Sequence, residues 1–173
     1  DIFVRVTNMT ATGNFLNSTT NFRQCNFRLP RPADCPPPPP PPPGSDKLRG
    51  FIGDTLMGAK NMEVTVENAT VNGIISSADY AYREGVTQIT RENCEELSNI
   101  TQTPAPAINN GTIVHLDDKA VWNVTGTSYL TRLDIAPGAA LKASSGALRL
   151  TVNGAEQPLH PGVYTGQIVL ELV

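Results

Sequence analysis

Apolar and polar residues alternate along most of this chain, the period-2 pattern of strands with one buried face. Ile2, Val4 and Val6 alternate with Phe3, Arg5 and Thr7, and a second alternating stretch runs from Phe22 to Leu29. Met62, Val64 and Val66 alternate with Glu63, Thr65 and Glu67; Ala69 and Val71 then turn inward before a turn at Asn72-Gly73. Val86 and Ile89, with Thr87 between them, mark another short strand. From Gly111 the pattern tightens. Ile113, Val114 and Leu116 form one expected strand, Ala120, Val121, Trp122 and Val124 the next, and Leu130, Leu133 and Ile135 a third. Ala140, Leu141 and Ala143 follow, then Leu148, Leu150 and Val152, and the chain closes on the apolar run Ile168–Val173. Residues 92–108 break the pattern. Glu92, Glu95, Glu96 and Leu97 suit one helical turn, and Pro104 and Pro106 forbid a longer helix, so an excursion loop is expected.

The strands also repeat. Val64-x-Val66-x-x-Ala69-x-Val71 is echoed by Val114-x-Leu116-x-x-x-Ala120-Val121 and by Leu133-x-Ile135-x-x-x-Ala139-Ala140-Leu141. The last two copies start 19 residues apart. Short strands and bends recurring at about that interval build one coil of a β-solenoid, in which each coil buries its apolar face on the next. Small residues such as Gly138, Ala139 and Ala140 suit the corners, and Asn and Thr suit ladders along the stack. The predicted class is therefore all-β, a β-solenoid of the right-handed parallel β-helix kind. A β-sandwich is the alternative, since its strands recur on a similar scale.

One segment cannot join any sheet. Cys35 is followed by eight prolines, Pro36, Pro37, Pro38, Pro39, Pro40, Pro41, Pro42 and Pro43, then Gly44-Ser45. Proline has a fixed φ and no N–H, so this run forms a polyproline II rod of roughly 25 Å. It reads as a spacer or exposed loop, or as a ligand for a proline-reading groove. The expected organisation is a β-rich segment over 1–35, the rod over 36–45 and a β-solenoid domain with a terminal cap over 46–173. Cys25 and Cys35 are spaced to close a short disulfide loop in an oxidising compartment, worth about 2–3 kcal/mol. Cys94 is then left over, as a buried thiol or an intersubunit partner.

Composition bears on where the chain works. Six N-x-S/T triplets start at Asn8, Asn17, Asn68, Asn99, Asn110 and Asn123, where chance gives roughly two. Each is a potential glycan acceptor of an exported protein. Charged residues are 17% of the chain, low for an intracellular enzyme. A net charge of −3 with no Lys/Arg cluster excludes a nucleic-acid partner. No apolar run is long enough for a transmembrane helix, and the start at Asp1 suggests a processed end.

Catalytic chemistry is thin. The two histidines, His115 and His160, have no nucleophile and oxyanion set marked out beside them, and no phosphate loop, H-E-x-x-H or C-x-x-C motif occurs. No cofactor is expected. Asp117-Asp118 is the best acidic pair, and Asp134, one coil on, would stack near Asp117 in a sugar-cleaving or calcium site. Trp122 and Tyr129 would then supply a sugar-stacking platform, although Trp122 also suits the core.

The segment Ala120-Val-Trp-Asn-Val-Thr-Gly-Thr-Ser-Tyr-Leu-Thr-Arg-Leu133, followed by Asp134-Ile-Ala-Pro-Gly-Ala-Ala-Leu141, resembles the closing coils of secreted right-handed parallel β-helix proteins. These include autotransporter-type passenger domains and related bacterial surface proteins. Val66 to Ser76 is similar to one of their coils, and Leu150 to Val173 is similar to their terminal cap. The resemblance covers roughly residues 60–173. It implies an extracellular or surface-attached protein with a structural, adhesive or matrix role. The first 45 residues, the proline run and the sequon density depart from that pattern; the proline run resembles instead hydroxyproline-rich cell-wall glycoproteins. The expected function is thus an extracellular structural or adhesive glycoprotein, not an enzyme, that self-associates into a fibre, layer or matrix. Its expected partners are its own copies, with cell-wall or glycan partners beside them. Strand-like Ile2–Val6 and apolar Ile168–Val173 are the segments expected to pair between subunits. The alternative is a carbohydrate-binding or carbohydrate-cleaving β-helix module.

Overall fold

The computed structural model describes residues 1–18, 22–23, 56–57, 60–82, 85–86, 99–108 and 110–173. The chain is all-β, with sixteen strands and no helix among the described residues. In chain order the strands are β1 (Ile2–Thr7), β2 (Thr10–Thr12), β3 (Phe15–Ser18), β4 (Phe22–Arg23), β5 (Leu56–Met57), β6 (Met62–Glu67), β7 (Thr70–Gly73) and β8 (Ile75–Tyr82). They continue as β9 (Ile100–Pro104), β10 (Thr112–Leu116), β11 (Val121–Val124), β12 (Ser128–Ile135), β13 (Ala140–Ala143), β14 (Leu148–Val152), β15 (Ala155–Gln157) and β16 (Gly162–Leu172).

Contacts divide the chain into two units. One comprises 21–58 and 81–101, and within it β4 pairs antiparallel with β5, Phe22 opposite Met57. The cysteines Cys25, Cys35 and Cys94, the run Pro36–Pro43, the expected strand residues Thr87 and Ile89, and the acidic turn at 92–97 lie outside the described residues.

The other unit comprises 1–20, 59–80 and 102–173. Its strands recur as layers. β1, β2 and β3 pair parallel with β6, β7 and β8 at a constant spacing of sixty positions, Ile2 opposite Met62, Thr10 opposite Thr70 and Phe15 opposite Ile75. β6 and β7 pair parallel with β10 and β11 at spacings of fifty and fifty-one, Met62 opposite Thr112 and Thr70 opposite Val121. β10 and β11 pair parallel with β12 and β13 at nineteen, Ile113 opposite Arg132 and Val121 opposite Ala140. The three sheets run β1-β6-β10-β12-β16-β14-β15, β13-β11-β7-β2 and β3-β8-β9.

This register stacks like on like. Val4, Val64, Val114 and Leu133 stand in one line across the first sheet, and Val6, Val66, Leu116 and Ile135 in the next. Ala11, Val71, Trp122 and Leu141 form the matching line in the second sheet. Val64, Val66, Val71, Val114, Trp122, Val124 and Leu133 are all fully buried. Slipping any strand by one residue would expose its whole apolar set, so the burial pattern itself holds the register. Gly73 shows how tightly the layers approach. A Cβ there would run into the Gly13 carbonyl of the layer below.

Three sequence expectations are corrected here. Residues 1–18 are not a segment apart; their strands are the first layer of the same sheets, because Val4 and Val6 continue the apolar lines of Val64 and Val66. Residues 100–104, expected as loop, form strand β9, with Pro104 at its end, where a missing N–H costs least. Strand β8 was not among the expected strands, because Ser76, Ser77 and Ala78, buried beside Ile75, break the apolar alternation. Those serines are buried yet bonded. Ser76 Oγ donates to the Ser77 carbonyl and accepts the Tyr129 N–H at 2.9 Å, and Ser77 Oγ lies 3.1 Å from Thr112 Oγ1.

Candidate functional site

The first three strands end all three sheets. β1, β2 and β3 are each terminal in their sheet among the described residues. The Ile2 N–H donates to the Asn61 carbonyl and the Asn8 N–H to the Glu67 carbonyl. In a parallel ladder the residues between alternate, so Phe3, Arg5 and Thr7 turn their N–H and C=O groups away from β6. Among the described residues no strand pairs with these groups, and β1 is an edge. Ile2 is 49% exposed, Phe3 74% and Met9 54%. Arg5 is the only charged residue on β1, and its guanidinium is drawn back to Glu67 at 2.8 Å. A long apolar edge with no proline and little charge is a template for further strand pairing.

The opposite end differs. Past β12 the first sheet turns antiparallel, with β16 lying between β12 and β14, Leu130 opposite Ile168 and Leu150 opposite Leu170. Ile168–Val173, expected from the sequence to pair between subunits, instead pairs within its own chain, Ile168–Leu170 on both sides and the rest along β14. Its last residue exchanges two backbone hydrogen bonds with Ala147. The sheet finishes at β15, three exposed residues long and bearing Glu156. Arg149 and Glu171 bridge β14 and β16 at 2.6 Å. The hydrogen bond to Glu171, and then its charge, hold the Arg149 guanidinium above the ordinary arginine range.

Outward positions carry ladders. Asn68 Nδ2 donates to Asn8 Oδ1 at 2.7 Å, and both residues sit at turns with positive φ. Asn123 Nδ2 donates to Asn72 Oδ1 at 2.7 Å, and Asn72 Nδ2 reaches Thr12 Oγ1 at 3.4 Å. The sequon asparagines accordingly fall into two kinds. Asn8 and Asn68 are exposed and Asn123 half-buried, and Asn68 and Asn123 each give one amide hydrogen to the ladder. A glycosylated amide keeps one N–H, so a glycan leaves those bonds intact. Asn99 is exposed as well. Asn17 and Asn110 are each only 6% exposed, and both hydrogens of each amide are used. Asn17 Nδ2 donates to the carbonyls of Lys60 and Gly111, and Asn110 Nδ2 to those of Ser18 and Lys60. In the folded chain these two side chains are internal clamps with no room for a sugar.

The acidic residues do not come together as a cleavage or calcium site. The nineteen-residue spacing sets Asp134 opposite His115, not beside Asp117. Asp134 Oδ2 lies 2.8 Å from His115 Nδ1 and also accepts from Arg132 Nη2 at 3.0 Å, while Glu63 Oε1 stands 3.3 Å from His115 Nε2. Both imidazole nitrogens face carboxylates, which leaves neither aimed at a nucleophile. The hydrogen bond and charge of Asp134 hold the Arg132 guanidinium above its ordinary range. Asp117 instead caps a turn, accepting the Asn68 N–H at 2.9 Å and the Lys119 N–H at 3.0 Å. Asp118 is exposed on that turn. Among the described residues no three His, Cys, Asp or Glu side chains converge as metal ligands.

Trp122 is fully buried, and its indole N–H donates to the Gly73 carbonyl at 2.9 Å. It is a core residue and takes no part in a platform with Tyr129. Tyr129 does line a surface cleft between β12 and β16, a feature for which the sequence carried no signal beyond the tyrosine itself. Among the described residues, no helix is long and apolar enough to cross a membrane. Compared with protein-family models, curated proteins and solved structures, the chain matches none of them.

Proposed function

We propose that this chain is a structural module of an extracellular or surface protein, built as a β-solenoid, whose open first layer pairs with another copy. The parallel register supports the solenoid reading. Three successive strands meet the next three at one constant spacing, and the interval shortens to nineteen, the length of a single bare coil. A β-sandwich would pair its strands antiparallel. The external amide ladders and the acceptor geometry of Asn8, Asn68, Asn99 and Asn123 support the glycoprotein reading.

The observation that carries the function is the asymmetry of the two ends. At one end β1 and β2 have no second partner strand among the described residues, and Ile2, Phe3 and Met9 are exposed; at the other the first sheet turns antiparallel and finishes on a short acidic strand. Like edges meeting make a closed, isologous pair. A filament needs a second open end, and in the first sheet that end is closed by β14–β16, so pairs presented on a surface suit this geometry better than an endless fibre.

Light scattering, with intact mass on the same natively isolated sample, tests this. The expected result is a dimer with glycan mass. Arg5→Pro removes an N–H that points off the edge, spares the β1–β6 ladder and should leave a monomer. Phe3→Lys should do the same by charge. A wild-type chain that stays monomeric at high concentration overturns the assembly reading, and a bare polypeptide mass overturns the glycoprotein one.

A further inference from the structure

The strand pair β12–β16 is interrupted. Leu130 faces Ile168 and Arg132 faces Thr165, so the single residue Thr131 stands against two, Gly166 and Gln167. An extra residue in one strand bends it and re-aims its neighbours. Gly166 takes φ +118, a conformation other residues avoid, and a Cβ there would press on the Asn153 amide. Asn153, itself at φ 51, holds the arch by accepting the Gln167 N–H at 2.9 Å.

Beside the arch lies a cleft of about 360 Å³. Tyr129, Thr131, Gln167 and Asn153 bring its polar groups, and Pro106 with Ala107 close one wall. Among the described residues, no ionisable acid or base lines it besides the tyrosine phenol. Thr131 Oγ1 donates to the Thr112 carbonyl and keeps its lone pairs. The Tyr129 hydroxyl, the Asn153 Nδ2 and the Gln167 side-chain amide make no hydrogen bond to other described residues. One aromatic ring, two amides and a hydroxyl acceptor therefore converge on one neutral hollow.

From this juxtaposition we propose that the cleft binds a neutral sugar ring of a glycan. Each sugar hydroxyl both donates and accepts, as do the amides and the phenol, and the ring's C–H face suits an aromatic side chain. The absence of charge selects against uronic acids and phosphates. An extended peptide fits less well, because β12 and β16 already pair with each other and offer it no free edge. This site is independent of the open edge at β1.

Amide-resolved NMR titration of the full chain tests it, using neutral tetrasaccharides of glucose, galactose, mannose and N-acetylglucosamine. Tetragalacturonate and a synthetic octaproline matching Pro36–Pro43 serve as the competing probes. The expected result is millimolar binding of at least one neutral sugar, with shifts confined to 129–131, 153 and 166–169. Tyr129→Ala and the exposed Gln167→Ala should each weaken it about tenfold or more, the spectrum staying dispersed. No shift with any neutral sugar overturns the proposal. So do shifts that survive both substitutions, or tighter binding of the uronate or the octaproline.

Discussion

The two ends of the layered unit are made from the same kind of strand and behave differently. At the first, β1 pairs on one side only among the described residues and leaves Ile2 49% and Phe3 74% exposed. At the last, β16 pairs on both sides and buries Ile168 and Leu170 completely. A parallel stack has no natural stopping point, since each layer presents the next with the same unpaired backbone. Reversing strand direction, as β14–β16 do, ends it inside the chain. The difference teaches that closure of the first sheet is a local device of the last 26 residues, while β1 has no second partner strand among the described residues.

That contrast can be broken by substitution. Leu170→Ala, at the closed end, should cost about 2–5 kcal/mol, because a fully buried side chain leaves a cavity. Val4→Ala, at the open end, should cost about 1 kcal/mol, since the valine is only partly covered. Urea unfolding of both variants gives the comparison directly; equal losses would mean the open end is covered in solution. Asn17→Ala should cost about 1–3 kcal/mol by removing two hydrogen bonds, to the Lys60 and Gly111 carbonyls, at a buried clamp between layers. A loss near zero in the same unfolding measurement would reinstate Asn17 as a surface sequon. The smallest effect belongs to Arg149→Gln, which removes an exposed, salt-screened bridge at the closed end. The folded chain holds this guanidinium above its unfolded value, so its contribution is complete below the ordinary arginine range and lost only above it. The melting temperature of the wild type should show no step from the Arg149 titration at any pH short of that range.

Much of the layering was legible in the chain. The echo of Val64, Val114 and Leu133, and of Val66, Leu116 and Ile135, is the structural register, although Val71 meets Trp122 rather than Val121. The same nineteen-residue spacing, applied strictly, would have sent Asp134 to His115 and dissolved the supposed acidic cluster in advance. Strand β8 was hidden because buried serines carry no apolar signal; their burial is tolerable only through partners from other strands, Thr112 and Tyr129. The sequon motif likewise reports a local triplet and nothing of where the amide points. Asn17 and Asn110 read like Asn8 and Asn68, and only their distant carbonyl partners separate them.

The sequence by itself determined the strand class and the stacking lines, because period-2 burial and like-on-like repeats are properties of neighbouring residues and fixed spacings. Tertiary structure alone decided which edge stays open, which asparagines become clamps and where a cleft forms. Each of those depends on backbone groups from strands tens of residues apart: β16 inserting beside β12, Lys60 and Gly111 meeting Asn17, and Gly166 arching over Thr131.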